Sequence, residues 1–432
     1  MKKYLVIVLG VICILSFAVT ASAEVTLGGK LLPRGWYFDN ISSLSGHSCL
    51  PTEAESYAMY STNVFLSVDA RVADNVRGFL ELESAGYGIT GPSTQSGLYF
   101  WGTQDAKPNT DLLFRQAWLQ YTGSGLLGIP SGMKIGHMLL TLGEKQFFNH
   151  ERFGDDAILL WIDPTKELHL GAATVKLTEG ALNQDGDDTD AYAVLGTYKV
   201  NKDNTVGVNY AYLNRSNDKL SLQNLGLHAN GVVSGVKYAA EADFQFGEKG
   251  TTDYTGYGIL AKLGYMLDPV NLRASFALGS GDSDGEADGK NNEFQAIVGT
   301  DYHAVARFAH YTQLYERAVS TAANYQTVTG NNRTTGIANT TYYNLGVDVD
   351  PVKDLGLSLD GYYLRATNVA SGVSKYIGSE VDLTGSYKIA KNLSYFVQAG
   401  LFSPGKYYDT HIPIVTDKKT ATMVVHGLSL TF

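Results

Sequence analysis

Cysteine is nearly absent from this chain: its only two are Cys13 and Cys49. Cys13 lies in an N-terminal apolar run that carries the marks of a removable export signal, so only Cys49 is expected to remain and no internal disulfide can form. No C-x-x-C-H stretch occurs, which excludes covalent haem of the c type on this chain. After residue 23 no apolar run approaches the roughly 20 residues that a spanning helix needs. Basic charge is the scarcer sign, with 33 Lys and Arg against 43 Asp and Glu. No basic stripe exists to neutralise phosphates, and nucleic acid is therefore not an expected partner.

The first residues, "MKKYLVIVLGVICILSFAVTASAE", combine Lys2 and Lys3, an apolar run to about Val19 and the small-residue box Ala21-Ser22-Ala23. That is a signal peptide over 1–23, with cleavage expected before Glu24. Losing Lys2 and Lys3 leaves 31 basic residues against the 43 acidic ones, a formal charge of −12 on residues 24–432. The composition of that remainder is rich in Gly (47) and Tyr (28) over the whole chain, which suits many strands flanked by aromatic belts.

Period-two patterning runs through it. In 63–86 Val64, Leu66, Val68 and Ala70 alternate with Asn63, Ser67, Asp69 and Arg71; after a polar turn Leu80 and Leu82 alternate with Arg77, Glu81 and Glu83. This is a hairpin. The same design recurs over 191–215, 257–281, 341–366 and 379–404. Each run is about ten residues, the length a tilted strand needs to cross a bilayer rather than the five or six of soluble sheets. Asp163-Pro164, Asp268-Pro269 and Asp350-Pro351 supply the chemistry of tight turns. Between hairpins lie longer polar loops, near 40–56, 86–110, 143–155, 180–189, 247–253, 279–340 and 403–418.

Short turns at one end and long loops at the other describe an all-β, transmembrane antiparallel barrel of about 18 strands, with 16 as the alternative count, in the outer membrane of a Gram-negative bacterium. A sandwich of so many long strands would exceed one core and leave edges to protect, whereas closure removes edges. In 376–389 the apolar set Ile377, Val381, Leu383, Tyr387 and Ile389 is assigned to lipid. The polar set is assigned to a lumen of charge and water. Summed over the well-phased strands, that lumen carries Asp69, Glu81, Glu83, Glu241, Asp243, Asp348, Asp360, Glu380 and Asp382 against Arg71, Arg77, Lys199, Lys237, Lys262, Arg273 and Lys388. It is mixed and slightly acidic, which predicts a weak preference for cations.

Residues 376–405, "YIGSEVDLTGSYKIAKNLSYFVQAGLFSPG", resemble the closing hairpin of the alginate-export family of outer-membrane barrels, with Gly378, Glu380, Asp382, Asn392, Leu393, Pro404 and Gly405 in the family's places. Segments "FRQAWLQY", "MKIGHMLLTLGEK" and "FGDDAILLW", then "LGSGDSDG" with Phe294 and His303, are similar to further stretches in the same order. Gly136-His137-Met138 stands where the family commonly has Gly-Arg-Gln, so one basic group is lost. The resemblance implies a porin-like barrel in outer-membrane lipid, and it implies that the terminal Phe432 is a signal for the barrel-assembly machinery. Polysaccharide export does not follow, because a polyanion calls for a cationic lumen.

The function these readings predict is diffusion of small hydrophilic solutes or ions. Two alternatives share the same features: a sheath around an exported partner such as a multihaem cytochrome, and a polysaccharide export channel. No nucleophile elbow, H-E-x-x-H or phosphate loop occurs, so no enzyme is expected; Tyr311-Thr312-Gln313 matches a phospholipase tripeptide by chance, since Tyr315 and Ala318 replace the residues that should follow. The loop 279–340 contains an apolar stretch that needs shelter from water, which predicts its insertion into the pore with His303, Arg307 and His310 as filter residues. Asp282, Asp284, Glu286 and Asp288 are weak candidates for Ca²⁺ ligands.

Overall fold

The computed structural model describes residues 24–41, 56–88, 91–92, 99–100, 110–125, 128–151, 154–180, 186–298, 311–316, 336–411 and 419–432. The signal peptide, Cys49, His303, Arg307 and His310 lie outside the described residues.

Eighteen long strands form one wall. In chain order they are β1 (Glu24–Asp39), β2 (Ser56–Ala73), β3 (Val76–Gly88), β4 (Thr110–Ser124), β5 (Pro130–Met138) and β6 (Asp155–Ile162). There follow β7 (Leu168–Thr178), β8 (Thr189–Asn201), β9 (Asn204–Arg215), β10 (Leu220–Val233), β11 (Val236–Lys249) and β12 (Tyr257–Leu267). The last six are β13 (Val270–Gly279), β14 (Thr340–Val352), β15 (Leu355–Ala366), β16 (Tyr376–Ala390), β17 (Leu393–Pro404) and β18 (Ala421–Thr431). Every strand pairs antiparallel with its sequence neighbour. β18 returns to β1, with Lys30 opposite Thr431 and Asp39 opposite Thr422. Closure leaves the wall without an edge, the condition for strands in lipid.

Glycines let the seam close, Gly29 among them. Gly29 exchanges both backbone hydrogen bonds with Phe432, at 2.9 and 3.0 Å, and a Cβ at Gly29 would come within 2.6 Å of the Phe432 ring and 2.8 Å of the Phe65 carbonyl.

Alternation sorts the two faces. Along β11, Phe244 and Phe246 are 49% and 45% exposed on the outer surface, while Glu241, Asp243 and Gln245 at the alternate positions are buried. The same outward set includes Val381, Leu383, Tyr387 and Ile389 on β16 and Leu428 on β18. Exposed leucine, valine and tyrosine over a whole wall are the signature of a surface whose solvent is lipid.

Three expectations are corrected. Ile377 does not join the lipid face but is fully buried, because the β15–β16 register slips there, pairing Leu364 with Gly378 and Arg365 with Tyr376. The bulge, eased by Gly378 at φ 154°, turns the side chain inward. Pro351 does not open its turn: it lies inside β14, in a bulge between Val349 and Val352, and the chain reverses at Lys353–Asp354. A proline that cannot donate to the ladder is tolerated at such a bulge.

The third correction is to the lumen, which is not water and charge throughout. Toward the long-loop end the inner face is apolar, with Trp36, Phe38, Leu222, Leu260, Ile377, Phe402, Met423 and Val425 buried. They pack into one core with Phe147, Phe148, Phe294, Ile297, Leu314 and Tyr315, which come from the loops. Burial of those rings away from water holds the loops inside the wall.

Candidate functional site

Two loop systems enter the barrel. The first, residues 139–151 between β5 and β6, is tied to β11 through the Gln146 N–H on Glu241 Oε2 (3.2 Å) and to β10 through Asn230 Nδ2 on Glu144 Oε1 (2.8 Å). Arg115 of β4 holds its far end by donating to the Glu151 carbonyl at 2.9 Å. Gly143, at φ 53°, lies so close to Glu241 that a Cβ would meet Oε1 at 2.2 Å.

The second system comes from the β13–β14 connection. Gln295 and Gln245 of β11 bond reciprocally, Nε2 of Gln245 to the Gln295 carbonyl at 2.7 Å and the Gln295 N–H to Gln245 Oε1 at 2.8 Å. Ile297 and Val298 pair in parallel with Phe148 and Asn149, which joins the two loops to each other. Further on, Glu380 Oε1 and Oε2 accept the N–H groups of Leu314 and Tyr315 at 2.6 and 2.7 Å, and Asp382 Oδ2 accepts that of Gln313 at 3.0 Å.

A shared device emerges. Glu241-Ala242-Asp243 on β11 and Glu380-Val381-Asp382 on β16 are both Glu-x-Asp pairs facing inward, and each grips a loop backbone. A carboxylate suits this task because it accepts several N–H bonds and each charge-assisted bond is stronger than a neutral one. Sequence reading placed these acids but could not see what they hold.

The remaining predicted wall charges are largely paired. Asp69 meets Arg77 at 2.6 Å. Arg115, which the strand-by-strand reading omitted, lies 2.5 Å from Glu81 and 3.8 Å from Glu83. Arg273 bridges Asp348 (2.8 Å) and Asp360 (2.7 Å). Arg71, Lys199, Lys237, Lys262 and Lys388 are exposed; Lys262 sits at the centre of its strand and the other four in the halves nearer the short turns. Lysines are thus frequent toward the short-turn mouth, where Asp69 and Asp348 also lie, while the loop-gripping acids sit deeper.

The loop carboxylates proposed for Ca²⁺ face elsewhere. Asp282 accepts the N–H groups of Asp284, Gly285 and Asn292. Glu286 Oε1 accepts from Tyr254 Oη and Asn291 Nδ2, and Asp288 Oδ1 from the Lys290 N–H. Among the described residues no three acidic, histidine or cysteine side chains gather to hold a metal ion.

Comparison with known proteins places the molecule. The family model described as alginate export matches residues 51–421. No curated protein sequence matches the chain. Among solved structures, OccK5 (OpdH) of Pseudomonas aeruginosa is similar at 12% identity and TM-score 0.56, covering 94% of this chain and 98% of that one. OccAB1 of Acinetobacter baumannii gives 12% and 0.56, covering 96% and 99%. The outer membrane protein opdK of Pseudomonas aeruginosa gives 10% and 0.55, covering 94% and 99%. At such identities the likeness is one of fold. With a closed 18-strand wall, a lipid-type outer face and a family match over most of its length, the chain belongs to the alginate-export family, as an outer-membrane β-barrel of the porin type.

Proposed function

We propose that this barrel conducts small hydrophilic solutes or ions across the outer membrane of a Gram-negative envelope, with a weak preference for cations, and that residues 139–151 and the inner parts of the β13–β14 connection form its constriction. The observation that carries this reading is the pair of inward Glu-x-Asp sites fastening those loops midway along the wall. Where a channel is narrowest its charges act at short range with little screening, whereas charges in a wide mouth are screened by salt within a Debye length of about 8–10 Å. Glu241, Asp243, Glu380 and Asp382 are themselves buried and shape the constriction, while the cation preference rests on the slight acidic excess of the inner face as a whole.

An inner face with an acidic excess opposes passage of a polyanion, which tells against polysaccharide export. A sheath around a multihaem cytochrome needs open bore, and the buried Phe147, Phe294 and Tyr315 occupy that space. The test is single-channel conductance of the purified barrel in a planar bilayer under a salt gradient. Steady unitary steps with a reversal potential of cation sign are expected. Silence from a heat-modifiable, folded barrel would overturn the channel reading, and an anion sign would overturn the selectivity.

A further inference from the structure

A cavity of about 430 Å³ opens at the long-loop rim. Its walls come from three connections: the β13–β14 loop, the β15–β16 loop through Asn368, Val369 and Ala370, and the β17–β18 loop through Tyr407. Glu293, 5% exposed, is part of its lining. Its Oε1 is buried and has no hydrogen-bond partner, a costly condition for a carboxyl oxygen. Three more acids, Asp282, Asp284 and Glu286, share the lining, and no basic side chain does.

Two of the lining amides are already committed. Asn291 Nδ2 donates to Glu286 at 2.8 Å, and Asn368 Nδ2 is turned to the Gly281 carbonyl at 3.5 Å. What the cavity offers a ligand is chiefly acceptors, bordered on one side by the apolar surface of Val369, Ala370 and Tyr407. A neutral sugar, which needs donors as well as acceptors, is poorly matched. Among the described residues no three acidic groups converge closely enough to ligate one metal ion.

We propose that this rim cavity binds a small organic ammonium ion, its N–H groups on Glu293 and the neighbouring acids and its carbon chain along Val369, Ala370 and Tyr407. An alkylammonium brings one positive charge, three donors in a tetrahedral spread and a short apolar tail, each of which has a counterpart here. The chemistry stands apart from conduction, although a channel that takes up such solutes would gain a capture site directly above its constriction, since Phe294 to Ile297 continue from Glu293 into the core.

Protonation follows from the surroundings. Burial, then the nearby Asp282 and Glu286, push the Glu293 carboxyl up to about 8. Asp282, Asp284 and Glu286 are the charged groups facing it from its own loop, and Tyr407 is the titratable group lining the cavity from the others. At neutral pH the acid is largely neutral, and an arriving ammonium favours the carboxylate, so a proton leaves for solvent as the cation binds.

The experiment is calorimetric titration of the folded, detergent-solubilised barrel with n-butylammonium chloride at pH 7, in two buffers of different ionisation enthalpy. Saturable binding is expected, with a heat that differs between buffers by the release of up to one proton. Glu293→Gln should weaken it about tenfold, the loss of one charge-assisted bond, and abolish the buffer difference. Asp284→Asn, on the exposed side of the loop, should weaken it less and guards against a folding defect at position 293. Absence of saturable binding, undiminished binding by a folded Glu293→Gln barrel, or equal binding of glucose would overturn the proposal. Conductance of the same preparation is read separately, so a silent barrel that binds butylammonium refutes the channel and leaves the cavity standing.

Discussion

Glu380 is an acid that sequence reading assigns to the lumen because it alternates with Val381 and Leu383. Its two oxygens each accept a loop N–H, so its work is to hold Leu314 and Tyr315 as much as to present charge. Glu380→Gln keeps the shape but turns one of the two accepting oxygens into an NH2 donor facing a loop N–H. A buried donor left unsatisfied costs about 1–3 kcal/mol, and the segment 311–316 is expected to loosen by that order. Faster amide exchange at Leu314 and Tyr315 and noisier unitary currents check it. Glu293 gives a pH dependence of opposite sense to an ordinary surface acid. Its carboxyl is raised from 4.5 to about 8, so the folded state binds more protons than the unfolded one between those values and stability falls as pH rises through the window. Protease resistance of the β13–β14 connection is expected to decline from pH 5 toward about pH 8, and Glu293→Gln should flatten the profile.

Among the elements, β16 shows both what alternation predicts and where it stops. Over Val381 to Ile389 every apolar side chain faces outward as expected, because period two is a property of the extended backbone itself. A charge placed on that face is costly: Val381→Arg or Leu383→Arg is expected to destabilise by about 2–4 kcal/mol near the bilayer midplane, measured by denaturant titration in vesicles. Thr384→Arg, on the inner face, should cost far less. Ile377 breaks the pattern because one extra residue at a bulge shifts phase, and nothing in the residues "KYIGSE" announces which partner strand imposes it. The seam behaves similarly. Gly29→Leu is expected to collide with Phe432 and the Phe65 carbonyl, lowering the temperature at which the barrel loses its heat-modifiable mobility.

For the whole molecule, the two inserted loops act as one layer through the pairing of Ile297 with Phe148 and their common core. Shortening either should release the other. Deleting residues 143–147 is expected to raise unitary conductance and to weaken cation preference together, since Glu241 would lose the backbone it holds and the bore would widen. A rise in conductance with unchanged reversal potential would place the selectivity elsewhere.

The sequence by itself determined a count of about 18 strands with 16 as the alternative, the antiparallel order, most of the outward face and the division into short turns and long loops. These follow from local rules: side-chain period, strand length against bilayer thickness and the chemistry of turns. It also placed several acids and bases on the inner face, though not Arg115. Tertiary structure alone decided that the inner face is apolar at the long-loop end, that Glu241 and Glu380 hold loop backbones, that Arg115 joins Glu81, and that Glu293 lines a rim cavity. Each of these depends on segments far apart in the chain meeting inside a closed wall, with 146 on 241, 297 on 148 and 314 on 380. Alternation cannot encode such meetings, because it reports which way a side chain points and is silent on what arrives to meet it.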